Sequence, residues 1–281
     1  MRSYFKIQTR KDSTYLKTLF KTPYPPFANP KPVELLKQFI LNTNDKEGIY
    51  LDFFAGSGSL GDSIIQCNIS DNGSRKFILV QLPELIEIKG NGKAKKIANS
   101  AIDFLKEKGV EKPTIFDITK YRLILSSEIH KQKNPIFTEQ IGFKIFETTP
   151  IWEDYNFEAE QFDSSQTLFD AGKLTEDDIK ALLTTWKTYD GIALTQDLES
   201  IDLSGYTAYY GNGRLYLMHK GFTTDNLKAL LEKIDTDKHF EPKSIIAFGY
   251  HFESKSLREI SENVKTYNNK KKSDIDFITR Y

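Results

Sequence analysis

Cysteine is almost missing from this 281-residue chain: Cys67 stands alone, so no internal disulfide can form. Histidine is scarce as well. His130, His219, His239 and His251 lie far apart, none at metal-ligand spacing from Cys67 or from a pair of carboxylates, and no metal is assigned. No apolar run approaches the roughly 18 residues a membrane-spanning helix needs. The first residues, Met-Arg-Ser-Tyr-Phe-Lys, lack the apolar stretch of a secretory signal. Together these absences point to a cytoplasmic protein. Charge of one sign is lacking too: 39 basic residues balance 39 acidic ones, where a free-standing nucleic-acid binder usually carries a basic excess. Contact with DNA would then need local patches or another segment. No repeat of fixed period is present.

Aromatic residues are plentiful, with 20 Phe and 14 Tyr, enough for a substantial core. Residues 21–32 hold five of the ten prolines and read as an irregular lead-in. A helix is expected from Lys31, with Pro32 in its first turn, through Val33, Leu36, Phe39 and Ile40. Gly48 to Phe54 is a short apolar run suited to a buried parallel strand. It ends in Ala55-Gly-Ser-Gly-Ser-Leu-Gly61, after which a helix should carry Ile64, Ile65 and Cys67. Asp71-Asn-Gly-Ser is a turn, and Lys76 to Gln81 a second buried strand closed by Pro83. Helices are expected over 93–109 and 117–131, and a short strand over Phe143-Lys-Ile-Phe146.

The texture changes after Pro150. Residues 151–173 are acidic and irregular. Thr175-Glu-Asp-Asp178 is a capping-box variant opening a helix to about Tyr189. Tyr206 to Met218, with Asn212-Gly213 at its centre, reads as a β-hairpin with a type I′ turn. A helix from Thr224, a strand from Ser244, a helix from Ser256 to Tyr267 and a strand over Asp274–Thr279 complete an α+β domain. The lysines of Asn268-Asn-Lys-Lys-Lys272 read as an exposed loop. Arg75, Lys76, Lys93, Lys95 and Lys96 form a basic cluster, either touching DNA phosphates or simply solvated.

Gly56-Ser57-Gly58-Ser59-Leu60-Gly61 matches G-x-G-x-x-G between a strand and a helix. Such a loop lets a ligand approach backbone N–H groups at a helix N-terminus. It suits NAD, another nucleotide or S-adenosylmethionine, or a tight turn with no ligand. Three features favour S-adenosylmethionine. Asp52, at the strand end, would meet the cationic methionine end of that cofactor and repel a pyrophosphate. Gln81 stands where NAD enzymes place an acid for the ribose, although Glu84 follows. No oxidoreductase constellation appears elsewhere.

Asp52-Phe-Phe-Ala-Gly-Ser-Gly-Ser resembles motif I of the amino-methylating DNA methyltransferases. Asp71 to Glu84 resembles the stretch that follows it in type III modification (Mod) subunits, and Phe27-Ala-Asn-Pro-Lys-Pro-Val-Glu-Leu-Leu36 resembles their motif X, in the β-type order. Phe116-Asp-Ile-Thr-Lys-Tyr-Arg122 and Gly142 to Phe146 resemble the tail of that fold. The resemblance covers 20–150 strongly and 151–281 more faintly.

It implies an α/β fold: an incomplete Rossmann-like methyltransferase domain over 1–150, with motif X, motif I and the second strand, then a small α+β domain over 151–281 for assembly. The cofactor would be S-adenosylmethionine. Asp52, Phe54, Ala55, Gly56 and Gly58 would line its methionine part, Gln81 would lie near its ribose, and Asn29, Lys31 and Pro32 would close the pocket.

Enzymes of this family hold the target amine with a [D/N/S]-P-P-[Y/F/W] loop, absent here. Tyr24-Pro25-Pro26-Phe27 only imitates it, because Tyr cannot play the Asp part, and reads as a connector. No catalytic residue is assigned. The family implies DNA as a partner through the complete enzyme, a second Mod subunit and a restriction subunit; the missing loop leaves room for a complementary N-terminal fragment. The competing readings are an assembly module with a vestigial cofactor loop and an NAD-binding domain.

Overall fold

The structure, a computed structural model, describes residues 10–150 and 171–281. The first residues of the chain and the acidic stretch 151–170 lie outside the described residues. The chain divides into two units, one ending at Phe143 and one running from Lys144 to Tyr281.

The first unit begins with α1 (Arg10–Phe20), which the sequence reading did not anticipate. Its signal is the close-set apolar group Leu16, Leu19 and Phe20, all buried against Ala101, Phe104 and Leu105 of α4 (Lys93–Glu107) and Ile118 of α5 (Ile115–Lys133). Helix α2 spans Val33–Asn42. Pro32 is its N-cap rather than part of its first turn, and no cap comes from its own side chain. Asp12 of α1 does that work from a distance, its carboxylate accepting from the Val33 N–H at 2.9 Å. Burial raises the Asp12 pKa, opposed first by this backbone bond.

Strand β1 (Ile49–Asp52) and β2 (Lys76–Leu79) pair in parallel with Leu51 opposite Ile78, and α3 (Ser59–Asp71) connects them. Alternate residues point to opposite faces. Tyr50 and Phe77 pack on Leu36 and Ile40 of α2 and Leu60, Ile64 and Cys67 of α3. The other face was expected to be buried and is not. Ile49 is 65% exposed, Leu51 48% and Ile78 51%, with Phe53 and Val80 exposed beside them. The run is apolar on both faces, as in a doubly covered parallel sheet, but among the described residues the helices cover one face.

Two smaller expectations also fail. Phe143–Phe146 forms no strand, because the segment has no pairing partner among the described residues. Arg75 is buried rather than part of a surface basic cluster. It chelates Asp71 (2.9 and 2.7 Å) and donates to the Asp45 carbonyl, pinning the start of β2. The Asp71 carboxyl is held below its usual range by that arginine.

The second unit is a five-stranded sheet ordered β3-β4-β5-β6-β7: β3 (Glu199–Leu203), β4 (Tyr206–Gly211), β5 (Arg214–Leu217), β6 (Ser244–Phe248) and β7 (Asp276–Arg280). The first two pairings are antiparallel and the last two parallel. The hairpin turns through Asn212 (φ 49°) and Gly213 (φ 73°), the left-handed pair that a type I′ turn requires. Here both faces are covered. Leu215, Leu217, Ile245 and Ala247 face α7 (Thr224–Thr236) and α8 (Ser254–Lys271), whereas Tyr216, Ile246 and Phe248 face α6 (Glu176–Tyr189). Thr175 caps α6 in a reciprocal capping box with Asp178. Residues 268–271, read as a loop, are the last turn of α8, closed by Lys272 in the left-handed conformation. Asn268 fixes this end by accepting from Ile275 N–H and donating to its carbonyl.

Candidate functional site

The glycine loop lies at the C-terminal end of the parallel pair, where ligands of open α/β sheets bind. Strand pairing continues into it, with Val80 N–H donating to the Asp52 carbonyl (2.8 Å) and Ala55 N–H to that of Val80 (3.1 Å). The chain then reverses through Gly56 (φ 55°) and Gly58 (φ 74°), both left-handed, a conformation that costs a β-carbon-bearing residue about 1 kcal/mol or more. Gly58 is the N-cap of α3 and has no side chain to cap it, so the first-turn amides face the loop without a side-chain acceptor. A β-carbon at Gly56 would sit 3.4 Å from the Phe27 ring, and one at Gly58 3.2 Å from the Thr119 side chain.

The predicted site residues fall into two groups. Asp52, Phe54, Ala55, Gly56, Gly58 and Gln81 come together. The Asp52 carboxylate accepts from Phe54 N–H at 3.0 Å and is half-buried. Phe54 is 87% exposed, Ala55 is buried, and Gly58 is buried under α5. Gln81 braces the loop: its side-chain carbonyl accepts from Gly56 N–H at 2.8 Å while its amide donates to Leu82 O at 3.0 Å. The second group is looser. Asn29 (φ 52°) and Lys31 are exposed, and no hydrogen bond among the described residues joins their side chains to the loop. Pro32 is buried at the head of α2, next to Val33, whose carbonyl accepts from Ser63 of α3 (3.4 Å).

Tyr24-Pro25-Pro26-Phe27 is pinned to α4 through Tyr24. Its carbonyl accepts from Ser100 Oγ (2.8 Å), and the Lys96 ammonium lies 5.4 Å from its ring centre. Phe27 packs on Gly56.

Sequence reasoning missed the residues that hold the loop from below. Asp62 and Arg122 are both fully buried and paired, Nε to Oδ2 at 3.1 Å. Asp62 Oδ1 also accepts from Ser126 (2.7 Å) and Gln66 (3.0 Å), with His130 Nε2 at 3.8 Å. Burial alone would raise its carboxyl. His130, Arg122, Ser126 and Gln66 outweigh that and hold it well below the usual carboxylate range. The one available signal was an arginine on the apolar face of Ile118, Thr119 and Leu123.

This strand, glycine turn and helix bring a carboxylate, open glycine backbone and the start of a helix to one place. The DNA methylase family matches residues 2–82. The family of the type III restriction-modification EcoP15I C-terminal domain matches residues 177–273. A DNA-methylase segment followed by that domain defines the class. Among individual proteins, the EcoP15I Mod subunit of Escherichia coli is 39% identical over 265 residues, 94% of this chain and 37% of the relative. The EcoPI Mod subunit of Escherichia phage P1 is 38% identical over 258 residues, 90% of this chain and 37% of the relative. The StyLTI Mod subunit of Salmonella typhimurium is 29% identical over 283 residues, 91% of this chain and 40% of the relative. The chain is a relative of the modification subunits of type III restriction-modification systems, and it spans well under half the length of these curated relatives.

Proposed function

We propose that these 281 residues are the cofactor-binding and assembly part of an N6-adenine DNA methyltransferase, and that they bind S-adenosylmethionine. The carrying observation is the Asp52 carboxylate beside two left-handed glycines at the C-terminal end of parallel strands. The donor set fits this cofactor. The carboxylate suits its cationic methionine end, the open glycine backbone allows close approach, and the uncapped start of α3 offers N–H donors. Phe54 and Ala55 complete the methionine side, and Asn29, Lys31 and Pro32 bound the pocket from the motif X side. Gln81, which fixes the Gly56 amide, would stand on the ribose side. When bound, the cofactor supplies the methyl group. This chain's residues bind and orient it.

Methyl transfer to an exocyclic amine also needs an acceptor that orients the nitrogen. Residues 1–281 contain no [D/N/S]-P-P-[Y/F/W] sequence, so in this reading the acceptor and the recognition segment lie outside these residues. The β1–β2 face that the described residues leave exposed supports this. An apolar parallel sheet in water calls for a second layer, which a complementary methyltransferase segment would provide. DNA is then a partner through the complete enzyme. The 151–281 domain serves contacts with a second Mod subunit and a restriction subunit. No helix among the described residues is long and apolar enough to cross a membrane, and the proposed place of action is the cytoplasm.

The test is methyl transfer to adenine-containing duplexes by this chain alone and after addition of a polypeptide carrying the acceptor loop. The expected result is no turnover alone and turnover with the complement. Turnover by the 281 residues unaided would overturn the reading.

A further inference from the structure

Helix α5 reaches the glycine loop from some sixty residues away in sequence, and its contacts concentrate on one face. Thr119 Oγ1 donates to the Gly56 carbonyl at 2.5 Å, and the Thr119 side chain lies against Gly58. One turn on, Arg122 donates through Nη1 to the Ser57 carbonyl (3.3 Å), the Ser57 hydroxyl (3.0 Å) and the Ser59 hydroxyl (2.8 Å). Its Nε goes to Asp62, and the Tyr15 ring lies 5.7 Å from its guanidinium. Nη2 is buried with no hydrogen-bond partner among the described residues. A pair needed only to neutralise Asp62 would not require three bonds to loop atoms.

A loop with two left-handed glycines has many accessible shapes unless something outside it selects one. The guanidinium is suited to the task because its donors sit in a rigid planar fork. We infer that Arg122, aimed by Asp62, is a positioning residue of the cofactor loop: it fixes Ser57 and Ser59 so that the backbone from Gly56 to Ser59 is preorganised for its ligand. This rests on the S-adenosylmethionine reading above.

Three variants separate positioning from general support. Arg122→Lys keeps a cation for Asp62 but loses the fork. Ser57→Ala/Ser59→Ala removes the loop hydroxyls and leaves the ion pair. Ser126→Ala removes an equally buried bond to Asp62 without touching the loop. Each is measured for S-adenosylmethionine affinity by calorimetry, for Tm, and for amide exchange over residues 55–61.

Arg122→Lys and the double serine variant are each expected to weaken binding at least tenfold and to speed loop exchange at least tenfold. Ser126→Ala should lower Tm with affinity within about twofold of the wild type. Wild-type affinity and loop exchange in both Arg122→Lys and the double serine variant would overturn the inference. So would a loss in Ser126→Ala equal to that in Arg122→Lys. If the wild-type chain does not bind, the cofactor reading fails. Loop exchange then decides for Arg122: acceleration supports its control of the loop, and no change removes it.

Discussion

Replacing Arg122 by Met would leave the Asp62 carboxylate fully buried with Ser126, Gln66 and His130 as its neighbours and its guanidinium partner gone. Breaking a buried pair from one side typically costs about 3–5 kcal/mol, most of it the uncompensated charge. The Ser57 carbonyl and the Ser57 and Ser59 hydroxyls lose a donor in the same step. For a unit of this size the loss corresponds to a fall in Tm on the order of 10–20 °C. Asp62→Leu alone strands the guanidinium and should cost a similar amount. The double variant Asp62→Leu/Arg122→Met removes both charges and should recover most of the loss, ending within about 2 kcal/mol of the wild type. Urea unfolding of the four proteins, read by amide exchange in peptides from α3 and α5, gives the cycle. A coupling of at least about 2 kcal/mol is expected. The double variant should nevertheless stay defective in cofactor binding, because it restores charge balance and not the loop contacts. Arg122→Met within about 1 kcal/mol of the wild type, or a double variant less stable than both singles, would refute the reasoning.

Acid should act on both units in the same direction. Asp62 is depressed, its burial outweighed by His130 and Arg122. Asp190 is depressed too, its burial outweighed by Arg280 and Tyr216. A depressed carboxyl contributes stability above its unfolded value near 4, lost as pH falls through the folded value. Acid titration of the wild type should therefore show stability falling below about pH 4, and less steeply in Asp62→Leu/Arg122→Met; equal slopes would contradict this. Asp12→Ala removes the acceptor for Val33 N–H and should destabilise the first unit by about 1 kcal/mol, measured by urea melts; a neutral outcome would show α2 needs no cap from α1. Leu51→Lys and Ile78→Lys lie on the bare sheet face and should each change the chain's own stability by less than about 1 kcal/mol, while blocking complementation in the methylation assay; a loss above about 3 kcal/mol would show that the face is already covered.

The sequence announced most of the local structure and less of the packing. Thr175 with Asp178, and Asn212 with Gly213, are short-range signals whose mechanism lies within a few residues, and the structure shows both. The strand–loop–helix at 49–71 was legible because an apolar run, clustered glycines and a renewed helical period follow one another. Strand β3 was missed because Glu199–Leu203 carries only one period of alternation, Ile201 and Leu203 buried about an exposed Asp202, too short a signal until the pairing with β4 extends it. The bare face of β1 was misread because an apolar run reports what a segment is suited to, not whether its cover is present. At the site, contiguous residues such as Asp52, Gly56 and Gly58 were placed together at once. Thr119 and Arg122 were not, because helical periodicity marks a face without naming the element it meets.

Calorimetric titration of the chain with S-adenosylmethionine, with NAD as control and Asp52→Ala alongside, tests the central claim most directly. The account requires saturable binding of S-adenosylmethionine, none of NAD, and a loss of at least about 1.4 kcal/mol, tenfold in affinity, in the variant. Binding that survives Asp52→Ala unchanged, or a preference for NAD, would contradict it.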